Sequence, residues 1–274
     1  LMKDTLKQII PQPLWQFARD TYDGFRRIPQ LPEAYFHPWR RESIKRLAAL
    51  KDIHKGKRAF IIGNGPSLKQ TDLSKLKNEI TFGMNRFYLA FPDLGFTTSY
   101  ICVTNDLVIE QFVNDFLSLQ VPQFIAWRSH RHYPAGLPTS NLPTFIYTTY
   151  TGPRFTTDVR ARVWEGATVT NLALQMAYHM GIEKAILIGV DHNFTSKGDA
   201  NKTVVSEGDD PNHFMPNYFG KGVKWQLPDL DTSEVGYIMA REAYAKAGRQ
   251  VVDATIGGKL TVFPKVDYNS LFIK

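Results

Sequence analysis

The sequence predicts an α/β protein: a mostly parallel sheet with helices on both faces, preceded by a helical N-terminal extension. Three observations carry this. Short apolar runs at Ala59–Ile62, Tyr100–Val103 and Ala185–Val190 have the character of strands buried on both sides, as a helix-covered parallel sheet requires. Helical stretches alternate with them: 105–119 repeats Val108, Phe112, Phe116 and Leu119 along one face, and 169–180 repeats Val169, Leu172, Ala173, Met176, Ala177 and Met180. Before Arg58 the alternation is missing, and Pro11, Pro13, Pro29, Pro32 and Pro38 punctuate a leader expected to hold short helices.

At 274 residues and 43% hydrophobic, the chain can bury one large core with an appended segment, read as an extension over 1–57 and an α/β catalytic domain over 58–274. The single cysteine, Cys102, lies within an apolar run, so it packs as a small hydrophobe, a disulfide framework is excluded and a reducing, cytoplasmic setting is expected. Residues 1–30 carry charge throughout, which fits neither a secretory signal nor a membrane span. The net charge of +7 suits an anionic substrate or an acidic membrane surface. Basic residues gather early, at Arg26-Arg27, Arg40-Arg41, Lys45-Arg46 and 55–58. Without a zinc-finger spacing, an aromatic RNA-binding signature or a basic heptad, a nucleic-acid partner is not expected.

In chain order, Trp15, Ala18, Tyr22 and Phe25 recur at helical spacing in the leader, with Phe17 off the stripe. Such a stripe is expected to pack on the domain behind it; the alternative is a surface helix docking on a membrane, peripherally at its inner face, or on a partner. Strands are then expected at 59–62, 80–84, 99–104, 123–127, 144–147 and 185–190, with Gly181 stopping the helix before the last. The stretch 195–230 is long, polar and glycine-rich, the profile of a mobile lid. After it, Asp231-Thr-Ser-Glu234 resembles a capping box opening a helix that ends near Gly248; 250–252 is a last core strand and 257–263 a terminal hairpin or extension.

In a parallel sheet the ligand lies beyond the carboxyl ends of the strands. Directly after the 59–62 run comes Gly63-Asn64-Gly65-Pro66-Ser67, whose glycines permit close backbone approach and whose serine could face an oxyanion or cap the next turn of chain. It lacks the Gly-Lys-Ser/Thr of a Walker A loop and the third glycine of Gly-x-Gly-x-x-Gly, so it reads as a phosphate or nucleotide seat of another kind, or as a plain tight turn. Asparagine or aspartate stands at the other strand ends: Asn85, Asn105-Asp106, and Asp191-His192-Asn193. Each suits ribose hydroxyls or a base edge, and each alone equally suits a turn or helix cap. Gly166-Ala-Thr168 precedes the 169–180 helix, where amides and hydroxyl would face an anion or simply cap the helix. In the lid, His213 is the natural general base, with Tyr218 and Lys221 holding a leaving phosphate and His192, fixed beside Asp191, giving a supporting contact. Nucleophile elbow, His-Glu-x-x-His helix and cysteine cluster are all missing, while Asp191, Asp209 and Asp210 could alternatively hold magnesium.

These residues carry a resemblance. Ile61-Ile-Gly-Asn-Gly-Pro-Ser-Leu68 looks like the opening motif of the small, metal-independent bacterial sialyltransferases that use a CMP-activated sugar. Asn85-Arg-Phe-Tyr88 resembles their second element, Thr104-Asn105 falls at their third asparagine, and 166–194 is similar to their Thr-containing turn, helix and Gly-Ile-Asp strand end. The same frame, over about 58–263, resembles the wider domain family named after the archaeal 6-hydroxymethylpterin pyrophosphokinase, which includes proteins tied to flagellin and surface-polysaccharide glycosylation. The resemblance implies that Asn64, Asn85, Asn105 and Thr168 bind a donor nucleotide and that His213 or a lid neighbour deprotonates an acceptor hydroxyl. Two departures stand out: His192-Asn193-Phe194 replaces the sialyltransferase Phe-Tyr, and the lid histidine lies in Asn212-His213-Phe214 rather than Gly-His-Ser.

The leading reading is a glycosyltransferase-like enzyme with a Rossmann-like core, needing no cofactor. It would move a sugar, acidic and sialic-acid-like, from a nucleotide donor, CMP-sugar favoured, to a glycan or surface-polysaccharide acceptor. Its nucleotide site would comprise Gly63, Asn64, Gly65, Pro66, Ser67, Asn85, Asn105, Thr168 and Asp191, and its catalytic residues His213, His192 and Tyr218, with no metal ligand. The alternatives are a magnesium-dependent diphosphotransferase acting on a pterin alcohol and a non-catalytic nucleotide-binding protein of polysaccharide assembly. A homo-oligomer is left open.

Overall fold

The computed structural model describes residues 12–194, 198–208, 210–215 and 217–273. Seven strands make its central sheet: β1 (Arg58–Ile62), β2 (Ile80–Met84), β3 (Tyr100–Val103), β4 (Gln123–Ala126), β5 (Thr144–Ile146), β8 (Lys184–Ile188) and β11 (Gln250–Asp253). They lie in the order β11-β8-β1-β2-β3-β4-β5, every neighbouring pair parallel. A parallel pair, β6 (Thr148–Thr149) and β7 (Val163–Trp164), and an antiparallel pair, β9 (Thr203–Val205) and β10 (Lys224–Gln226), lie outside it. The chain runs outward from β1 to β5, then returns to place β8 and β11 on the other side of β1. The order therefore reverses at the β1–β8 seam, where open α/β sheets keep their ligand crevice.

The apolar runs form strands because both sheet faces are covered. Ala59 and Ile61 of β1 point into a core shared with Leu172, Met176, Tyr237 and Tyr244, whereas Phe60 and Ile62 point to the other face, against Leu68, Leu76 and Tyr268. The helices are α1 (Gln12–Arg27), α2 (Leu31–Phe36), α3 (Pro38–Ala49), α4 (Phe91–Leu94), α5 (Asp106–Ser118), α6 (Val169–His179) and α7 (Leu230–Lys246).

The leader divides. In α3, Arg40, Ser43 and Leu47 are buried, Ser43 Oγ accepts from Phe145 N at 2.9 Å, and His179 Nε2 meets the Leu47 carbonyl at 2.8 Å. His179 is thus buried and clamps α3 to α6. Helix α1 is longer than the prolines suggested, because Pro13 falls in its first turn, where no amide donor is needed. Tyr22 and Phe25 of the apolar stripe face solvent instead of packing on the domain, the reverse of the leading expectation for this helix, and Phe17, off the stripe, is exposed as well.

A further expectation is corrected. Helix α7 opens at Leu230 and is capped by Asp229, whose carboxylate accepts from Thr232 N at 3.0 Å, which leaves Glu234 free of any capping box. The stretch 257–263 is an extension rather than a hairpin, and beyond it a parallel bridge joins Lys265 to Asp253. The described part of 195–230 is anchored: Tyr218, Phe219, Trp225 and Leu227 are buried, and Phe214 N donates to Asn64 O at 2.8 Å.

The β1–β8 seam is exceptionally close at its carboxyl end. A Cβ on Gly63 would stand 2.1 Å from Gly189 O and one on Gly65 would stand 1.7 Å from Asp191 Oδ2. The first contact is with backbone, which cannot swing aside cheaply; the second is with a side-chain carboxylate, behind which Gly189 O stands 2.9 Å away. Gly63→Ala is therefore expected to lose about 3 kcal/mol or more of stability, at or beyond the upper end of ordinary overpacking, as read by urea denaturation; a loss below about 1 kcal/mol would show that the seam can open.

Candidate functional site

At the carboxyl ends of β1, β2, β3 and β8 lies a cleft of about 570 Å3. Its floor is formed by Gly63–Gly65, Met84-Asn85 and Thr104-Asn105, one wall by the start of α6, and the opposite side by Asn212-His213, Tyr218-Phe219, 225–229 and the first turn of α7. Of the residues singled out from the sequence, Gly63, Asn64, Gly65, Asn85, Asn105, Thr168, Asp191, His192, His213 and Tyr218 line it, while Pro66, Ser67 and Lys221 do not.

The 63–67 turn does different work from that expected. Gly63 N donates to Ile188 O at 2.8 Å, Gly65 N to Gly189 O at 2.9 Å and Ser67 N to Asp191 Oδ1 at 3.1 Å. With Pro66 lacking a donor, these bonds spend most of the amides a phosphate would need. The Ser67 hydroxyl also turns inward, to Asp191 Oδ2 at 2.8 Å. A half-buried carboxylate needs donors, so Ser67 serves Asp191 rather than an oxyanion in the cleft.

What the floor presents to the cleft instead is side-chain amides. Asn64 Nδ2 donates to Met84 O at 3.0 Å. Since a carbonyl only accepts, the amide orientation is fixed, and Asn64 Oδ1 is left buried without a partner among the described residues. Asn85, in the left-handed region at φ 49°, also keeps a buried Oδ1 that is unpartnered among the described residues. Asn105 and Thr168 line the cleft as helix caps, Asn105 Oδ1 accepting from Leu107 N at 3.0 Å and Thr168 Oγ1 from Thr170 N at 3.2 Å. The N-terminus of α6, with its partial positive charge, opens into the cleft between Ala167 and Thr170.

Two histidine–carboxylate pairs face the cleft. His213 Nδ1 lies 2.6 Å from Asp210 Oδ2, and the ring stacks on Tyr218 with centroids 4.1 Å apart and planes 12° from parallel. A carboxylate accepts only, so the proton sits on Nδ1 and Nε2 carries the lone pair. His192 Nε2 pairs with Glu234 Oε1 at 2.9 Å across the start of α7. Tyr218 is wholly buried; burial pushes its phenol well above the ordinary range, and its oxygen receives Arg86 N at 3.4 Å. It is a protonated platform beneath His213.

Sequence reasoning missed Glu165, Tyr150, Trp225, Tyr237 and Asp229, all of which line the cleft. Glu165 is buried against Arg128 Nη2 at 2.5 Å, and Trp225 stacks on Phe219 with centroids 5.6 Å apart. Of the carboxylates lining the cleft, Asp191 and Asp229 accept hydrogen bonds from Ser67 and Thr232 N, and Glu165 is ion-paired with Arg128. Among the described residues no three His, Cys, Asp or Glu side chains group as metal ligands. Asp210 is taken by His213 and Asn212 N, and Asp209 lies outside the described residues. The donor set described does not fit a magnesium ion.

Burial holds the Asp191 carboxyl above its ordinary value, partly offset by the Ser67 hydroxyl and amide. A raised folded value means that the group's stabilising contribution is full below the ordinary carboxylate range and is lost as pH rises through the folded value. The unfolding free energy of the wild type minus that of Asp191→Asn should accordingly fall as pH rises through that window. A difference that is flat, or rises, across the acid range would contradict the burial argument.

The structure is similar to the MAf glycosyltransferase from Magnetospirillum magneticum AMB-1, at 14% identity and a TM-score of 0.47, over 85% of this chain but only 39% of that one. It is also similar to the sialyltransferase CstII from Campylobacter jejuni in complex with CMP-3FNeuAc, at 16% identity and a TM-score of 0.41, over 78% of this chain and 87% of that one. A variant of CstII, an alpha-2,3/8-sialyltransferase, gives 17% identity and a TM-score of 0.38 over 78% and 88% of the two chains. Similarity at this level carries neither substrate nor mechanism across. No curated protein matches the sequence. Residues 39–197, more than half of the chain, match the family described as 6-hydroxymethylpterin diphosphokinase MptE-like, and the protein belongs to that family.

Proposed function

We propose that the protein is a transferase that binds a nucleotide-activated sugar, a CMP-sugar by preference, and moves the sugar to a hydroxyl of a glycan acceptor in the cytoplasm. One observation carries the reading: Asn64 Oδ1 and Asn85 Oδ1 are buried acceptors at the cleft floor, unpartnered among the described residues. Such oxygens call for a ligand bearing N–H or O–H donors, as the amine of a base or the hydroxyls of a ribose do. With the 63–67 amides engaged, the phosphate belongs at the N-terminus of α6, whose dipole favours an anion.

The chemistry follows from His213. Its Nε2 takes the proton of the acceptor hydroxyl, the hydroxyl oxygen bonds the anomeric carbon, and the bond from that carbon to the donor phosphate breaks. The electron pair leaves with the phosphate, whose negative charge the α6 dipole opposes. Asp210 holds the tautomer and stabilises the imidazolium that forms. His192 with Glu234 borders the same cleft and gives a supporting polar contact.

The family match favours a second reading, magnesium-dependent diphosphate transfer to a pterin alcohol. That reaction needs carboxylates free to hold the ion beside the triphosphate, and those described at the cleft are committed to protein partners. The test is thermal stability with CMP, CDP, UDP, GDP and ATP, each with and without magnesium, followed by transfer assays of His213→Ala. Sugar transfer predicts a melting-temperature rise with CMP that needs no magnesium, and a loss in turnover of about a hundredfold to ten-thousandfold with nucleotide affinity intact. Stabilisation by ATP only with magnesium would support the second reading instead.

A further inference from the structure

Helix α1 presents its wrong side to the domain. At helical spacing Ala18, Tyr22 and Phe25 share one side and Asp23, Gly24 and Arg27 another. The polar side is the half-buried one, and Arg27 Nη1 donates to Thr151 Oγ1 at 2.9 Å. Tyr22 is 62% exposed and Phe25 66%, and the apolar exposure continues through Ile28 to Phe36 at 74%. An amphipathic helix that spends its polar side on its own domain leaves its apolar side for something else.

Charge identifies what that is. Arg19 and Arg26, both exposed, flank the aromatic side, and Arg26 lies 5.7 Å from the Tyr22 ring centroid. Behind the helix, Arg27 and Arg154 stand close enough to Arg162 to hold its guanidinium, already disfavoured by burial, below its ordinary value. A second copy of the chain would bring +7 against +7, whereas an anionic bilayer attracts this face.

We infer that α1 lies flat on an anionic lipid surface, with Tyr22 and Phe25 in the boundary between headgroups and acyl chains and Arg19 and Arg26 on the phosphates. Thr151, which anchors the helix, directly follows Tyr150 at the cleft, so docking sets the cleft mouth beside the bilayer. The inference does not depend on which nucleotide the cleft binds.

The experiment is co-sedimentation of the full chain with vesicles of phosphatidylcholine alone and of phosphatidylcholine mixed with phosphatidylglycerol. Binding to the mixed vesicles only is expected, weakening with salt. Arg19→Gln with Arg26→Gln should weaken it roughly thirtyfold, about fivefold per arginine. Tyr22→Ser with Phe25→Ser should weaken it about tenfold or more, with an unchanged melting temperature because both side chains are exposed. No binding to the mixed vesicles, or binding undiminished in both variants, overturns the inference. So does a dimer in analytical ultracentrifugation that Tyr22→Ser with Phe25→Ser dissolves, since a second copy would then cover the face.

Discussion

The close passage of β1 past β8 beyond their paired residues governs this molecule. Gly63 and Gly65 bring the two backbones to a separation that any Cβ would forbid, and their amides bind the carbonyls of Ile188 and Gly189. The layout of the cleft depends on that seam. Asp191 emerges beside Ser67 and captures it, the reversal of strand order opens a crevice at the carboxyl ends, and Asn64 is set so that its amide reaches across to Met84. A strand pair held this tightly makes a rigid floor, which recognition by fixed acceptors requires.

On that floor, recognition and chemistry occupy different walls. Acceptor oxygens unpartnered among the described residues sit at the strand ends, the positive end of α6 faces them, and the His213–Asp210 pair is carried by the segment packed opposite. In the proposed reaction histidine rather than carboxylate moves the proton, because the carboxylates described at the cleft are already bound by serine, arginine or a helix amide.

Much of the fold was legible from the sequence. Strands buried on both faces need continuous apolar runs, and 59–62, 100–103 and 185–188 have them; 169–179 declares itself by its spacing. The strand ends were legible too, so Asn64, Asn85, Asn105 and His192 could be placed at one cleft before any geometry was known. The task of Gly63–Ser67 was not legible, because glycines that admit a phosphate and glycines that admit a neighbouring strand look alike in one dimension. Nor was the outward face of α1, since periodicity shows which residues share a side and not which way the side points. Glu165, Tyr150 and Trp225 reach the cleft through contacts between distant segments, and local pattern carries no trace of them.

The most direct measurement is a crystal structure of the protein with CMP bound. The account predicts donors of the nucleoside within hydrogen-bonding distance of Asn64 Oδ1 and Asn85 Oδ1, and the phosphate at the N-terminus of α6 beside Thr168. A nucleotide bound away from this cleft, or one whose phosphate sits on the amides of the 63–67 turn after displacing their bonds to β8, would contradict it.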